Sequence, residues 1–187
     1  MGSLERLRRA DDRLGEAIRR RQSAAGARAA RLATHAGSWV TQAAVPAIAI
    51  AAAARGGDRR RVAYAVVSML GTSATFHAVK HFVQRDRPHP DWHLVRTSDS
   101  SFPSGHAATS AAAARVLAET TGWPKPLLAS VAAVVGATRV YLGVHHPSDV
   151  VGGFVIGWGW ASLTARALRA GEGTGATAGP AAVRGDG

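Results

Sequence analysis

Long uncharged stretches alternate with short charged ones along this chain of 187 residues. Residues 36–54 and 62–79 contain no charged side chain, and further apolar segments cover residues 127–144 and 150–165. An alanine-rich segment that begins at Ser104 completes the set, with the serine as the N-cap of a helix. No strand-like alternation of polar and apolar residues is visible. The pattern therefore predicts an all-α bundle of about five helices.

Several features of these segments favour a bilayer over water. Their lengths approach the roughly 20 residues that cross a membrane, arginine-bearing loops separate them, and Trp39 lies near a segment end. Gly153 and Gly157 form a small-x3-small pair that permits close helix contact. Arg115 falls inside a segment, but Glu119 one turn later can pair with it. We predict an integral, multi-pass membrane protein; a soluble helical bundle is the alternative, because the mean hydropathy is close to zero.

Residues 1–35 form a basic arm ahead of the apolar segments. Asp11 interrupts an otherwise apolar seam in this arm. The seam consists of four residues near heptad spacing, namely Leu4, Leu7, Leu14 and Ile18. This pattern predicts an N-terminal amphipathic helix that lies on anionic lipid. A short coiled coil, a nucleic-acid-binding arm and a merely solvated helix are the alternatives.

Three regions follow from this division. The basic arm covers residues 1–35, a membrane domain covers residues 36–170, and residues 171–187, rich in Gly, Ala and Pro, are predicted to be disordered. The formal net charge of +11 suits an anionic membrane, a phosphorylated substrate or nucleic acid. Five spans put the arm and the candidate chemistry on one side. Arginines lie in loops on both sides, so the membrane face that carries the site is left open.

Three short motifs supply the candidate chemistry, and each lies at the end of an apolar segment on the same side of the predicted bundle. In sequence they read Lys80-x6-Arg87-Pro88, then Pro103-Ser104-Gly105-His106, then Thr138-Arg139-x5-His145-x3-Asp149. The lysine and arginines suit phosphate oxygens. Ser104 and the backbone N–H groups that follow it lie at a helix N-terminus, a natural anion site. A histidine with an aspartate one turn later has the arrangement of an activated nucleophile.

Together these motifs resemble the signature motifs of the type 2 phosphatidic acid phosphatase superfamily, which includes lipid phosphatases, soluble acid phosphatases and vanadium haloperoxidases. The match is complete except at Thr138, where the family has serine. The resemblance implies that His145 attacks phosphorus to form a phosphohistidine, that Asp149 orients it, and that His106 protonates the leaving alkoxide. It also implies a set of phosphate-binding residues, namely Lys80, Arg87, Ser104, Gly105 and Arg139.

We therefore expect a metal-independent phosphatase that hydrolyses a lipid phosphate or diphosphate, either polyprenyl-linked or glycerolipid. No metal or cofactor is expected, because no H-E-x2-H or similar ligand spacing occurs. The expected partners are the lipid substrate and the membrane, not nucleic acid, and a homo-oligomer is left open. A vanadium-haloperoxidase-like enzyme and a non-catalytic, basic membrane-binding protein are the alternatives. Membrane members of the family usually have six spans, and here the arm takes the place of the first.

Overall fold

The computed structural model of the protein describes residues 2–54, 58–97 and 99–175. Within these ranges the regular structure is helical, with seven α-helices, two short 3-10 turns and no strand. The α-helices are α1 (Ser3–Arg19), α2 (Ala24–Thr34), α3 (Trp39–Ala54), α4 (Arg59–Phe82), α5 (Gly105–Thr121), α6 (Lys125–Tyr141) and α7 (Pro147–Gly175). The all-α class predicted from the sequence is confirmed.

Local sequence signals explain where the core helices begin and end. The Ser104 side chain caps α5 by accepting a hydrogen bond from the N–H of Ala107, as predicted. The same helix ends at Gly122, whose φ of +75° is a left-handed conformation that glycine adopts readily. Pro147 occupies the first turn of α7, where its missing N–H costs nothing.

The two ends of the chain differ in detail from the prediction. The arm contains two helices, α1 and α2, because Ser23 starts a new helix by accepting a hydrogen bond from the N–H of Gly26. At the other end, α7 continues to Gly175, past the predicted boundary at residue 170. The rest of the predicted disordered tail, residues 176–187, lies outside the described residues.

Helix α5 lies at the centre of the bundle and contacts α3, α4, α6 and α7. Its buried side chains are almost all small, so neighbouring helices approach its backbone closely. A Cβ atom added at Gly153 would lie less than 3.0 Å from the Ser104 carbonyl oxygen, and one added at Gly157 equally close to that of Ala108. The close contact predicted for this glycine pair is confirmed, and its partner is α5.

Large apolar side chains lie on the outside of the core helices. Small alanines inside and branched residues outside are the reverse of the usual soluble core. The exposed residues on α3, α4, α6 and α7 include Val40, Ile48, Ile50, Val67, Leu70, Val131, Val134, Val151, Val155 and Leu163. Among the described helices, α4 is the one that is long and apolar enough to cross a membrane.

The charged pair predicted inside the bundle is present. Arg115 donates a hydrogen bond to Glu119 one turn later on α5. The same carboxylate lies 3.0 Å from the amine of Lys125 and 3.6 Å from the guanidinium of Arg169. The intrahelical arginine is therefore neutralised at the C-terminal end of α5, away from the motif that opens this helix.

The contact between α5 and α7 can be tested at two neighbouring glycines. We expect Gly157→Ala to lower the unfolding midpoint in detergent, because overpacking of a close contact costs about 1–3 kcal/mol. Gly159→Ala is the matched control, since a Cβ there meets nothing within 4 Å, and alanine favours helix by about 1 kcal/mol over glycine. Equal unfolding midpoints for the two variants would contradict the close contact.

Candidate active site

A single cavity of about 340 Å³ is lined by residues from all three motifs. Six of the eight predicted site residues line it: Lys80, Arg87, Gly105, His106, Arg139 and His145. Phe76 of α4 and the loop residues Arg96, Thr97 and Asp99 also line it. The two remaining predicted residues, Ser104 and Asp149, are fully buried. Ser104 is occupied as the cap of α5, and Asp149 lies beside His145.

Four elements deliver these side chains to the same place. Lys80 lies in the last turn of α4, His106 in the first turn of α5, and Arg139 in the last turn of α6. His145 lies in the short connection between α6 and α7. That connection turns at Gly143, which has a φ of +73° and packs so closely on the loop before α5 that a side chain would collide with the Trp92 carbonyl.

The hydrogen-bond partners of His145 indicate which ring nitrogen carries the proton. Nη1 of Arg87 lies 3.3 Å from Nε2 of His145. Because a guanidinium only donates hydrogen bonds, Nε2 must present its lone pair. The proton then lies on Nδ1, which is 3.6 Å from Oδ2 of Asp149 and has no hydrogen-bond partner among the described residues. The lone pair therefore faces the cavity cation, and the N–H faces the carboxylate.

Burial keeps the His145 imidazole neutral. The residue is only 3% exposed. Burial lowers the pKa of His145 to about 4, and the positive charge of Arg87 acts in the same direction. At neutral pH the ring is therefore uncharged, which is the state that a nitrogen nucleophile requires.

Three close donors hold the carboxylate of Asp149, and Nδ1 of His146 also lies 3.3 Å from its Oδ2. Its Oδ2 accepts hydrogen bonds from the hydroxyl of Ser101 at 2.5 Å and from the backbone N–H of His146 at 2.7 Å. Its Oδ1 accepts one from Nη1 of Arg85 at 2.7 Å. Asp149 also accepts the Ser104 N–H through its backbone carbonyl at 2.9 Å. The start of α5 and the start of α7 are thus joined at the residue that faces His145.

An acidic side chain lies between two of the cavity cations. Oδ2 of Asp99 is 3.1 Å from the amine of Lys80, and Oδ1 accepts a hydrogen bond from Nη2 of Arg87 at 2.5 Å. Burial raises the pKa of Asp99, but hydrogen bonds from Arg87 and Lys80 outweigh burial and hold the pKa below its ordinary value. An ionised carboxylate therefore pairs with Lys80 and Arg87, two of the residues predicted to bind phosphate.

The third cation in the cavity, Arg139, has an N–H group that can still donate a hydrogen bond. Arg139 is 6% exposed, and its Nη1 donates to the hydroxyl of Thr34 at 2.9 Å. Its Nε is buried without a hydrogen-bond partner in the described part of the chain. A buried unsatisfied donor costs about 1–3 kcal/mol, more for a charged group, so an anion bound beside Arg139 would be favoured.

Sequence reasoning missed several residues that support the site, namely Asp11, Thr34, Arg85, Asp99 and Ser101. Most of them act through partners far away in sequence, which local patterns do not reveal. One signal was visible in the sequence: Asp11 interrupts the apolar seam of the arm, which indicates that its carboxylate has a polar partner. In the structure Asp11 is only 6% exposed and accepts a hydrogen bond from Arg85.

Comparison with known proteins agrees with this geometry. A family model described as the PAP2 superfamily matches residues 61–171. A decaprenylphosphoryl-5-phosphoribose phosphatase of Mycolicibacterium smegmatis is 39% identical over 132 residues, covering 68% of this chain and 69% of the relative. Phosphatidylglycerophosphatase B of Bacillus subtilis is 37% identical over 102 residues, covering 48% of this chain and 49% of the relative. The chain thus spans about half the length of this second relative.

A solved structure has the same fold. It is the crystal structure of a transmembrane PAP2 type phosphatidylglycerolphosphate phosphatase from Bacillus subtilis, with a TM-score of 0.71 and 24% identity. The superposition covers 88% of this chain and 87% of that chain. The chain belongs to the PAP2 superfamily. The predicted enzyme class, a lipid phosphatase, is confirmed by the relatives that carry such names.

The ionisation of His145 provides a direct test of the site. We expect its imidazole to titrate well below the ordinary histidine value of about 6.5, because burial penalises the charged ring. Nitrogen-15 NMR of histidine-labelled protein would measure this pKa, with the signal assigned by its loss in His145→Gln. The exposed His89 in the same spectrum is the control. A His145 signal that titrates between pH 6 and 7 would contradict the buried, neutral ring.

The carboxylate in the cavity leads to a second prediction. We expect Asp99→Asn to bind inorganic phosphate several-fold more tightly than the wild type, because phosphate no longer competes with a charged group for Lys80 and Arg87. Titration calorimetry would measure the Kd. Asp86→Asn removes the same charge from an exposed position in the same loop and serves as the control. Equal affinities for the two variants would show that Asp99 does not compete with phosphate.

Proposed function

We propose that the protein is an integral-membrane phosphatase that hydrolyses a polyprenyl-linked phosphate without a metal, through a phosphohistidine intermediate. The observation that carries the proposal is the single cavity lined by Lys80, Arg87 and Arg139 together with His106 and His145. Three fixed positive charges suit a dianionic phosphoryl group, and two imidazoles suit the two jobs of nucleophile and acid.

The first step is binding of the phosphoryl group by the cations. Phosphate would displace the Asp99 carboxylate from Lys80 and Arg87 and satisfy the unpartnered Nε of Arg139. The N–H of Gly105, at the positive end of α5, adds a donor at the cavity wall. In a site that excludes water, such preorganised charges stabilise the transition state as well as the ground state.

The second step is attack on phosphorus. When the guanidinium of Arg87 turns to the phosphate oxygens, Nε2 of His145 is released with its lone pair directed into the cavity. A bond forms between Nε2 and phosphorus while the bond from phosphorus to the lipid-side oxygen breaks. His145 becomes positively charged as it does so, and Asp149, facing its Nδ1–H at 3.6 Å, stabilises that charge. Contacts of this kind commonly tighten when substrate binds.

The third step uses the second histidine. His106, in the first turn of α5, lines the same cavity as His145. The protonated ring of His106 would give a proton to the leaving alkoxide and become neutral. The neutral ring would then accept a proton from water as that water attacks the phosphohistidine. The bond between Nε2 and phosphorus breaks, inorganic phosphate leaves, and both histidines return to their starting states.

The distribution of apolar side chains supports placement in a membrane. Branched aliphatic residues project from the outside of α3, α4, α6 and α7, where water would leave them uncovered. Helix α4 meets the length and hydropathy of a membrane span. We propose that α3 to α7 form the five predicted spans, with the cavity at one membrane surface, so that the lipid tail of the substrate remains between helices or in the bilayer.

Two substrate classes follow from the relatives. The decaprenylphosphoryl-5-phosphoribose phosphatase aligns over 132 residues, against 102 for phosphatidylglycerophosphatase B, and covers a larger share of both chains. We therefore propose a polyprenyl-linked sugar phosphate as the preferred substrate and a phosphatidylglycerolphosphate as the second candidate. The motifs bind the shared phosphoryl group, and the rest of the lipid decides between the two.

The proposed chemistry can be tested by phosphate release in EDTA from a polyprenyl-linked sugar phosphate and from phosphatidylglycerolphosphate. We expect the wild type to hydrolyse the polyprenyl substrate with the higher kcat/KM. His145→Ala should lose activity by roughly 10³-fold or more, as the loss of a nucleophile does in other enzymes. His89→Ala replaces an exposed histidine outside the cavity and should retain full activity.

The intermediate provides an independent readout. Brief reaction with substrate labelled at the phosphoryl group, followed by rapid quenching in alkali, should trap acid-labile label on the protein. The label should be absent from His145→Ala. Wild-type activity that requires added metal, or a His145→Ala variant that still turns over, would contradict the proposed mechanism.

A further inference from the structure

The guanidinium of Arg85 lies between two buried carboxylates, one from α1 and one from the first turn of α7. Its Nη1 donates to Oδ1 of Asp149 at 2.7 Å and to the hydroxyl of Ser148 at 2.6 Å. Its Nη2 donates to Oδ2 of Asp11 at 2.8 Å. Asp149 is fully buried and Asp11 is 6% exposed. A planar fork with fixed donors can bridge two carboxylates in this way, whereas a lysine amine is a single point charge.

Asp11 also contacts the start of α7 directly. Its Oδ1 accepts the backbone N–H of Ser148 at 2.9 Å, and its Oδ2 accepts the Ser148 hydroxyl. The carboxylate from α1 therefore satisfies a free amide in the first turn of α7, where negative charge is favoured. Burial raises the pKa of Asp11, but hydrogen bonds from Arg85 and Ser148 outweigh it, so the carboxylate is ionised at neutral pH.

Further contacts hold the arm over the site. The side chain of Arg19 lies 4.6 Å from the ring centre of Trp92, and Gln22 donates to the Tyr141 carbonyl at 2.7 Å. In α2, Arg31 donates to the Leu94 carbonyl at 2.8 Å. These contacts reach the loop before α5 and the end of α6, which both border the cavity. The arm is thus docked along its length, and the contact at Asp11 is part of a larger interface.

We propose that Arg85 is a positioning residue for the Asp149–His145 pair and that Asp11 holds Arg85 in place, so that the N-terminal arm is a working part of the active site. The proposal rests on the function proposed above, in which Asp149 stabilises the charge on His145. Arg85 fixes Oδ1 and thereby the orientation of the Asp149 carboxylate. Without Asp11, the second half of the guanidinium has no anionic partner and is free to turn away.

The first test compares kcat and KM in Asp11→Asn, Arg85→Lys and the matched control Glu5→Gln. Glu5→Gln removes the same charge from the same helix, but Glu5 is exposed and pairs with the exposed Arg9. We expect kcat to fall roughly 10- to 100-fold in the first two variants, as for supporting residues of other sites, and to stay within twofold in the control. KM should change less than threefold, because Lys80, Arg87 and Arg139 are untouched.

The double variant separates positioning from general stability. If Asp11 acts through Arg85, then Asp11→Asn combined with Arg85→Lys should lower kcat no further than the more damaging single substitution. The Kd for inorganic phosphate, measured by calorimetry, should stay within threefold of the wild-type value in all variants. Such a result would show that the cavity is intact. Additive losses of kcat, or a loss of phosphate binding that accompanies the loss of kcat, would assign a merely structural role and overturn the proposal.

The remaining outcomes distinguish this inference from the proposed function. An active wild type, an inactive His145→Ala and an unchanged kcat in Asp11→Asn would overturn the role of the arm and leave the phosphatase mechanism standing. A wild type that releases no phosphate from either lipid would overturn both. Asp11→Glu keeps the carboxylate and should recover part of the kcat lost in Asp11→Asn; recovery of none would contradict the need for an anion at this position.

Discussion

The close contact between α5 and α7 is the constraint on which the site depends. Glycines at 153 and 157 let α7 lie against the backbone of α5, because a Cβ atom at either position would collide with a backbone carbonyl of that helix. At the N-terminal ends of the two helices, the Ser104 N–H donates to the carbonyl of Asp149. The helix that presents His106 and the helix that opens with Asp149 are therefore joined at their first turns. A wider spacing of the two helices would separate His106 from His145 and Asp149.

Charge is the second constraint, because three cations and a neutral imidazole share one small cavity. Each cation has a local partner in the unliganded protein: Asp99 for Lys80 and Arg87, and the hydroxyl of Thr34 for Arg139. Arg85, just outside the cavity, is balanced by two carboxylates. The positive charges at the site are therefore held by partners within the protein, and two of these partners, Thr34 and Asp11, come from the arm.

The helices and the motif residues could be predicted from the sequence because both have local signals. Helix starts at Ser104 and Pro147 follow from capping chemistry, and six of the eight predicted residues line one cavity. What the sequence did not reveal is pairing over distance. Asp11 and Ser148 are 137 positions apart, and no local pattern links them. The break between α1 and α2 was missed for a different reason, since the heptad-like seam ends at Ile18, within α1, and gives no signal for the helix that Ser23 caps.

The carboxylate of Asp99 has a consequence for the end of the catalytic cycle. An enzyme that binds a phosphoryl group with three cations risks holding its product as firmly as its substrate. In the function proposed here, an arriving phosphate would exchange with the Asp99 carboxylate, so only part of its attraction to Lys80 and Arg87 would appear as affinity. In the proposed mechanism the same exchange would run in reverse after hydrolysis, when the tethered carboxylate would return to Lys80 and Arg87 as inorganic phosphate leaves. A side chain in the loop before α5 would thereby limit product inhibition.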